Sequence, residues 1–251
     1  MLDEGKPEGP VVVFANSLAT DLHLWDAILP LLPPGVRTIR WDKRGHGASD
    51  EPPPPYGMGT LIADAEDILD AVGVTGCTFV GLSIGGMIAQ GLAVKRPDLI
   101  ARMVLSNTAA KIGTDDLWDM RIATAMADGM EPLADATMER WFGRDFLAGP
   151  DLAEWRARYC ATPPAGYAGC CAAIRGTDFY TTTAGLRLPT LAIAGSEDGA
   201  TPPDLVRETA DLIPGARFEI IRRAGHLPCV ERPQDYAALL TGFLPETGAP
   251  P

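Results

Sequence analysis

The stretch that most constrains this chain is Phe79-Val80-Gly81-Leu82-Ser83-Ile84-Gly85-Gly86. An apolar run from Cys77 to Val80 enters it, and a small-residue helical pattern, Met87-Ile88-Ala89-Gln90-Gly91-Leu92-Ala93, leaves it. Its centre reads Gly-x-Ser-x-Gly, the pattern of a nucleophile elbow. A sharp strand-to-helix turn strains the serine backbone and brings strand and helix backbones together, so only residues with little or no Cβ fit beside it. The Ser83 hydroxyl is then held out at the top of a sheet, with a helix N-terminus behind it. An idle serine in a tight glycine turn has the same local sequence. The rest of the chain must therefore supply a base, an acid and an oxyanion hole.

The order of elements around this turn is regular. Val11–Ala15 is a β-branched apolar run and predicts a buried strand. Asp21 to Leu32 predicts a helix with Leu22, Trp25, Ile28, Leu29 and Leu32 on one side. Val36–Trp41 predicts a strand, and Thr60–Val72 an amphipathic helix stopped by Gly73. The elbow strand and its helix follow, and then a strand over Ala101–Ser106. This β-α-β-α-β-α-β succession implies an α/β fold with a mostly parallel sheet and helices on both faces. From about 110 to 186 the rhythm changes to helices alone, at Asp115–Asp128, Leu133–Phe142, Asp151–Cys160 and Ala165–Phe179. That stretch reads as an all-helical insert, a cap. The βαβ rhythm resumes with strands at Pro189–Gly195 and Ala216–Ile221 and helices at Pro202–Ile213 and Asp235–Phe243. The expected organisation is a core at 1–109 and 187–251 with a cap at 110–186. Gly248–Pro251 is expected to fray.

Composition narrows the function classes. At 251 residues and 46% hydrophobic, the chain can bury one substantial core. The net charge of −12 argues against nucleic acid or an anionic membrane surface as partner. It also means that an anionic substrate needs a local cationic pocket. No run of 18 or more apolar residues predicts a membrane span, and the polar, acidic start is unlike a signal peptide. Five scattered cysteines without a CxxC, beside three histidines, give no metal-ligand spacing. They read as reduced thiols of a cytoplasmic protein.

With three histidines the search for a base is short. His226 lies just past the last predicted strand, on a loop at the sheet's top edge, where a base for Ser83 must sit. His46, in the glycine-flanked Arg44-Gly45-His46-Gly47 loop, is the weaker candidate and suits a loop-shaping role. His23 reads as a helix-side residue near the mouth. The orienting acid is Asp198, in the middle of the Gly195-Ser196-Glu197-Asp198-Gly199 loop, with Glu197 as the fallback. The loop after the preceding strand, Ser106-Asn107-Thr108, offers no carboxylate.

The order Ser83, Asp198, His226 resembles the α/β-hydrolase fold family across nearly the whole chain. Within it, Asn16-Ser17-Leu18-x-Thr20-Asp21-x-x-x-Trp25, then Trp41-Asp42-x-Arg44-Gly45-His46-Gly47-x-Ser49, then Gly81 to Ala93 are similar to the 3-oxoadipate enol-lactonases of aromatic breakdown. The resemblance implies an oxyanion hole from the backbone N–H groups of Leu18 and Ile84. It implies a small acidic lactone as substrate and a requirement for neither metal nor organic cofactor. It also points to Arg140 and Trp141 in the cap for the substrate carboxylate, with Arg121, Arg144 and Arg156 as alternatives. Trp25, Trp118 and Trp155 read as packing, and Arg44 and Glu231 as structural. Family members usually carry about a dozen more N-terminal residues, which form a first β-hairpin, so the expectation here is either a truncated start or a version that lacks one or two edge strands. Other hydrolases of the fold (carboxylesterase, aminopeptidase, perhydrolase) and a non-catalytic ligand-binding protein are the rival readings. Oligomeric state is not legible.

Overall fold

A computed structural model describes residues 1–245. Seven strands form one sheet: β1 (Leu2–Glu4), β2 (Val11–Ala15), β3 (Arg37–Arg40), β4 (Cys77–Leu82), β5 (Ile100–Ser106), β6 (Thr190–Gly195) and β7 (Arg217–Ile221). Their order across the sheet is β1-β3-β2-β4-β5-β6-β7, and every pairing except β1 with β3 is parallel. The interior strands are apolar along their length because both faces are covered: all six residues of β4 and of β6 are buried. In register, Val13 pairs with Ile39 on one side and Phe79 on the other, and Phe79 pairs with Met103.

The helices are α1 (Met58–Ala71), α2 (Ile84–Lys95), α3 (Asp115–Asp128), α4 (Glu131–Trp141), α5 (Arg144–Leu147), α6 (Leu152–Cys160), α7 (Pro164–Arg175), α8 (Tyr180–Ala184), α9 (Pro203–Asp211), α10 (Pro228–Glu231) and α11 (Pro233–Thr241). Side chains alternate across a strand. In β6, Leu191 and Ile193 join the main core, whereas Ala192 and Ala194 pack with Val206 and Ala210 of α9. Helices therefore cover both faces. Between β5 and β6 the described chain makes only helices, α3 packing on α7 and α4 on α6.

The topology positions the site. From β2 the chain goes outward to β3 and then returns to β4 on β2's other side. Such a reversal opens a crevice at the carboxyl ends of the strands. Ala15 pairs with Gly81 there, so the loop after β2 and the turn after β4 leave the sheet side by side.

One expectation is narrowed and two need correction. At the N-terminal edge one strand is present: Leu2–Glu4 pairs antiparallel with β3, and Asp3 and Glu4 bond Arg37 and Arg40 across it at 2.6 and 3.1 Å. These three residues are exposed and mostly charged, so no apolar run announces the strand. Residues 21–32 do not form one helix but two 3₁₀ turns, Leu22–Trp25 and Leu29–Leu31. Asp21 caps the first by accepting from the His23 N–H at 2.9 Å, and Pro30 has no N–H with which to continue a helix. The helix expected to run to Phe179 stops at Arg175, and α5, α8 and α10 are short helices without a periodic signature. The fraying expected for Gly248–Pro251 falls outside the described residues.

Candidate active site

Ser83 sits between β4 and α2 with φ 58° and ψ −119°, a left-handed backbone that no β-strand or helix supplies. Its N–H donates to the Ser106 carbonyl at 3.0 Å, and its carbonyl accepts from Thr108 Oγ1 at 2.6 Å. The loop after β5 therefore fixes the turn. Gly85 explains the second glycine of the pattern. A Cβ there would fall inside van der Waals contact with the Ala15 carbonyl, and only 3.0 Å from Ala15 Cβ. Close approach of α2 to β2 leaves no room for a side chain.

Asp198 and His226 are both buried, and Asp198 Oδ2 lies 2.9 Å from His226 Nδ1. The carboxylate is crowded with donors. Oδ2 also accepts from Asn107 Nδ2 and Thr201 Oγ1, each at 2.8 Å, and Oδ1 from the N–H groups of Ala200 and Thr201 at 2.7 and 3.0 Å. Burial pushes this carboxyl up. The charge of His226 and the hydrogen bonds from His226, Asn107 and Thr201 outweigh burial and hold it below the ordinary aspartate value. His226 is fixed on its other side too: its backbone N–H donates to the Trp141 carbonyl at 2.6 Å, and the Trp141 ring stacks on the imidazole with centroids 6.3 Å apart.

Ser17, Leu18, Ser83, Trp141, Thr201 and His226 line one cavity of about 140 Å³. His226 Nε2 faces into it, 3.5 Å from Ser17 Oγ. Among the described residues the Ser83 hydroxyl makes no hydrogen bond to His226; such contacts are often long without substrate. Ile84 is the first residue of α2, so its N–H has no partner within the helix. The Leu18 segment is held from behind. His46 Nε2 accepts from the Ala19 N–H at 3.0 Å, Lys43 Nζ donates to the Thr20 carbonyl at 3.1 Å, and Thr20 Oγ1 donates to the Ser17 carbonyl at 2.9 Å. Burial, and then the Lys43 charge, hold the His46 imidazole well below the usual histidine range. His46 is thus a neutral loop anchor away from Ser83. His23 is exposed, 2.8 Å from Asp26.

The helical stretch between β5 and β6 supplies the other wall. Ile112, Leu117, Trp118, Tyr159, Tyr167 and Ile174 make it apolar and aromatic, and Arg121 and Arg140 both enter the same cavity. Among the described residues neither guanidinium has a carboxylate within 4.0 Å, whereas Arg144 pairs with Glu197 and Arg156 with Glu131 and Asp135. Arg140 donates to Thr137 Oγ1 at 3.0 Å, and Arg121 lies 4.9 Å over the Trp118 ring. Burial and the charge of Arg121 lower the Arg140 pKa. Two like charges face one small space.

Two predicted positions change meaning. Glu197, the fallback acid, turns to Arg144 rather than to His226. Trp118, read as packing, walls the cavity, while its Nε1 donates to the Ile112 carbonyl at 2.7 Å. Trp25 is core, its Nε1 donating to Asn16 Oδ1 at 2.7 Å, and Arg44 bonds Asp64. Asn107 and Thr201 were not singled out from sequence. Their signals were position alone: Asn107 directly follows β5, and Thr201 is three residues past Asp198.

The chain matches the family described as alpha/beta hydrolase fold over residues 10–233. It is 34% identical over 242 residues to 3-oxoadipate enol-lactonase 1 of Acinetobacter baylyi, covering 96% of this chain and 90% of that protein. Among solved structures it is similar to a hydrolase from Pseudomonas aeruginosa PA01, with TM-score 0.92, 40% identity and 96% and 92% coverage of the two chains. It is equally similar in shape to the enol-lactonase from Burkholderia xenovorans LB400, with TM-score 0.92, 36% identity and 96% and 94% coverage. The seven-stranded sheet, the strained serine turn and these likenesses together make the chain a member of the α/β-hydrolase fold family.

Proposed function

We propose that this protein is a serine hydrolase that opens a small lactone carrying a carboxylate, 3-oxoadipate enol-lactone in the breakdown of aromatic compounds. Ser83 Oγ attacks the ring carbonyl while His226 Nε2 takes its proton. Asp198 keeps the His226 tautomer with a proton on Nδ1 and stabilises the imidazolium. The N–H groups of Leu18 and Ile84 receive the oxyanion, each donor being worth about 3 to 4 kcal/mol in such sites. Ring opening expels an enolate, a better leaving group than an alkoxide, and the His226 imidazolium gives its proton to the enolate oxygen, leaving His226 neutral. Water activated by His226 then hydrolyses the acyl-enzyme, and the enol product tautomerises to a 3-oxo acid. The same reading makes the protein cytoplasmic and makes residues 110–186 a cap over the core.

The observation that carries this reading is the content of the one cavity. It holds Ser83, His226 and two arginines that have no carboxylate partner among the described residues, in a chain whose net charge is −12. Such arginines suit a ligand carboxylate, and the apolar wall suits a small ring. Arg140 is assigned the substrate carboxylate, with Arg121 beside it and Trp141 as a wall. The test compares the acidic lactone with its methyl ester on wild-type protein and on Arg140→Ala and Arg121→Ala. On the acid, KM should rise about tenfold or more when a guanidinium is removed, the size of one lost charged hydrogen bond. On the methyl ester it should hardly move. An unchanged KM on the acid in both variants overturns the assignment.

A further inference from the structure

Glu231 lies outside the cavity, yet it touches the segment that carries His226. It ends α10, five residues after His226, and its carboxylate is half-buried. Oε1 accepts from the Gly225 N–H at 2.7 Å, and Oε2 accepts from the Gly143 N–H at 2.8 Å. Gly225 precedes the histidine. Gly143 follows Trp141 and Phe142 at the end of α4.

These two backbones run against each other. A Cβ on Gly225 would collide with the Trp141 carbonyl and lie 2.9 Å from Gly143 N and from the Phe142 carbonyl carbon. One side of the seam is closed by the His226 N–H on the Trp141 carbonyl. On the other side two N–H groups face the same space and cannot bond each other. A carboxylate is the one side chain with two acceptor oxygens and no donor.

We infer that Glu231 is a positioning residue, a two-oxygen clasp that holds the His226 backbone against the cap segment Trp141–Gly143 and so sets the imidazole's placement between Asp198 and the cavity. The inference rests on the reading of Ser83 and His226 as nucleophile and base. It adds a coupling: a shift of the cap at Gly143 is transmitted to the histidine through one side chain.

The surroundings separate this clasp from the other cap contacts. Glu197, from the loop after β6, accepts from the next N–H, that of Arg144, at 2.8 Å, and holds the cap without touching the Gly225 segment by its side chain. Its Oε2 and that of Glu231 lie within 3.2 Å of the same point beside Gly143. Asp145 bonds Arg223 and Arg232 at 2.6 and 2.7 Å. Arg232 and Asp198 act on Glu231 in opposite senses, and burial pushes its carboxyl up to about 7. A proton on Glu231 removes one of the two acceptors.

The variant that imitates that loss is Glu231→Gln, whose amide offers one acceptor and turns a donor toward the second N–H. Glu231→Asp restores two acceptors on a shorter arm. Glu197→Gln is the control that loosens only the cap. With p-nitrophenyl acetate as substrate, E231Q should lower kcat about tenfold or more, since small displacements of a catalytic group carry such costs. KM should change little, and E231D should recover part of the loss. Labelling of Ser83 by a serine-directed phosphonate should slow in parallel, while E197Q keeps kcat near wild type. Wild-type protein that is not labelled at Ser83 removes the serine-hydrolase reading itself. Labelled wild-type protein with an unimpaired E231Q, or an E197Q equally slow, removes the role of Glu231 alone. If E231Q does not fold, amide exchange in the wild-type protein decides. Gly143 and Gly225 should both be protected above about pH 7, and one of the two should lose protection as the pH falls below it; absence of protection at either above that pH overturns the clasp.

Discussion

Replacing Asp198 with Asn tests the acid at the centre of the site. The carboxylate receives five donors: two backbone N–H groups on Oδ1, and Asn107, Thr201 and His226 on Oδ2. An amide must turn its NH₂ toward one of these sets. Turned toward Oδ1, it leaves two buried backbone N–H groups unpaired, at about 1 to 3 kcal/mol each. Turned toward Oδ2, it can be relieved only if His226 adopts the tautomer with Nδ1 unprotonated. That tautomer places the proton on Nε2 and removes the base. The second arrangement is the cheaper, so D198N should fold with a loss of about 2 kcal/mol and lose about 10⁴ in kcat, some 5.5 kcal/mol of barrier. Urea unfolding reads the first effect and hydrolysis of p-nitrophenyl acetate the second. A D198N protein within tenfold of wild-type kcat would refute the role of Asp198, and an equal loss in E197Q would show that the wrong carboxylate had been chosen.

Other outcomes follow from the same contacts. Gly85→Ala should lower stability by about 3 kcal/mol, an overpacking cost, because its Cβ meets the Ala15 backbone; a loss below about 0.5 kcal/mol in urea, typical of an indifferent surface site, would mean that α2 can move away from β2. In stability measured against pH, the lowered Asp198 pKa gives a contribution present above the unfolded value of 3.8 and lost as pH falls through the folded value, so D198N should blunt acid unfolding. Glu231 acts with the opposite sign. Its folded pKa is raised, so its contribution is full below 4.5 and is lost as pH rises toward about 7. E231Q should flatten that interval, and an unchanged slope would contradict the burial argument.

Much of the fold was legible in the sequence because its interior strands are apolar runs, and because glycines mark the strained turn at Ser83. Val11–Ala15 and Cys77–Leu82 are of this kind. What escaped has physical reasons. Leu2–Glu4 is an edge strand held by backbone pairing and surface charge pairs, and it needs no apolar face. Residues 21–32 carry a helical apolar spacing, but Pro30 and the Asp21 cap divide them into two tight turns.

The candidate site was legible where loops follow strands, since a parallel sheet brings those loops to one edge. Asp198 and His226 are of that kind. Asn107 and Thr201 were not, because their work is to fill the remaining lone pairs of a carboxylate, and no spacing announces a hydrogen-bond donor. Arg121 was legible only as one of three alternatives to Arg140. Nothing in the sequence of α3 distinguishes an arginine that enters a cavity from one in solvent; only the packing of α3 on α7 decides it.

The most direct test of the proposed activity is to follow the loss of enol-lactone absorbance with purified protein, using the lactone that carries the free carboxylate, beside p-nitrophenyl acetate under the same conditions. The two-arginine cavity predicts a larger kcat/KM for the acidic lactone, by about a hundredfold if both guanidiniums contribute a charged hydrogen bond. Faster turnover of the uncharged ester would contradict it, and would make the protein an esterase of the same fold whose arginines serve another acid.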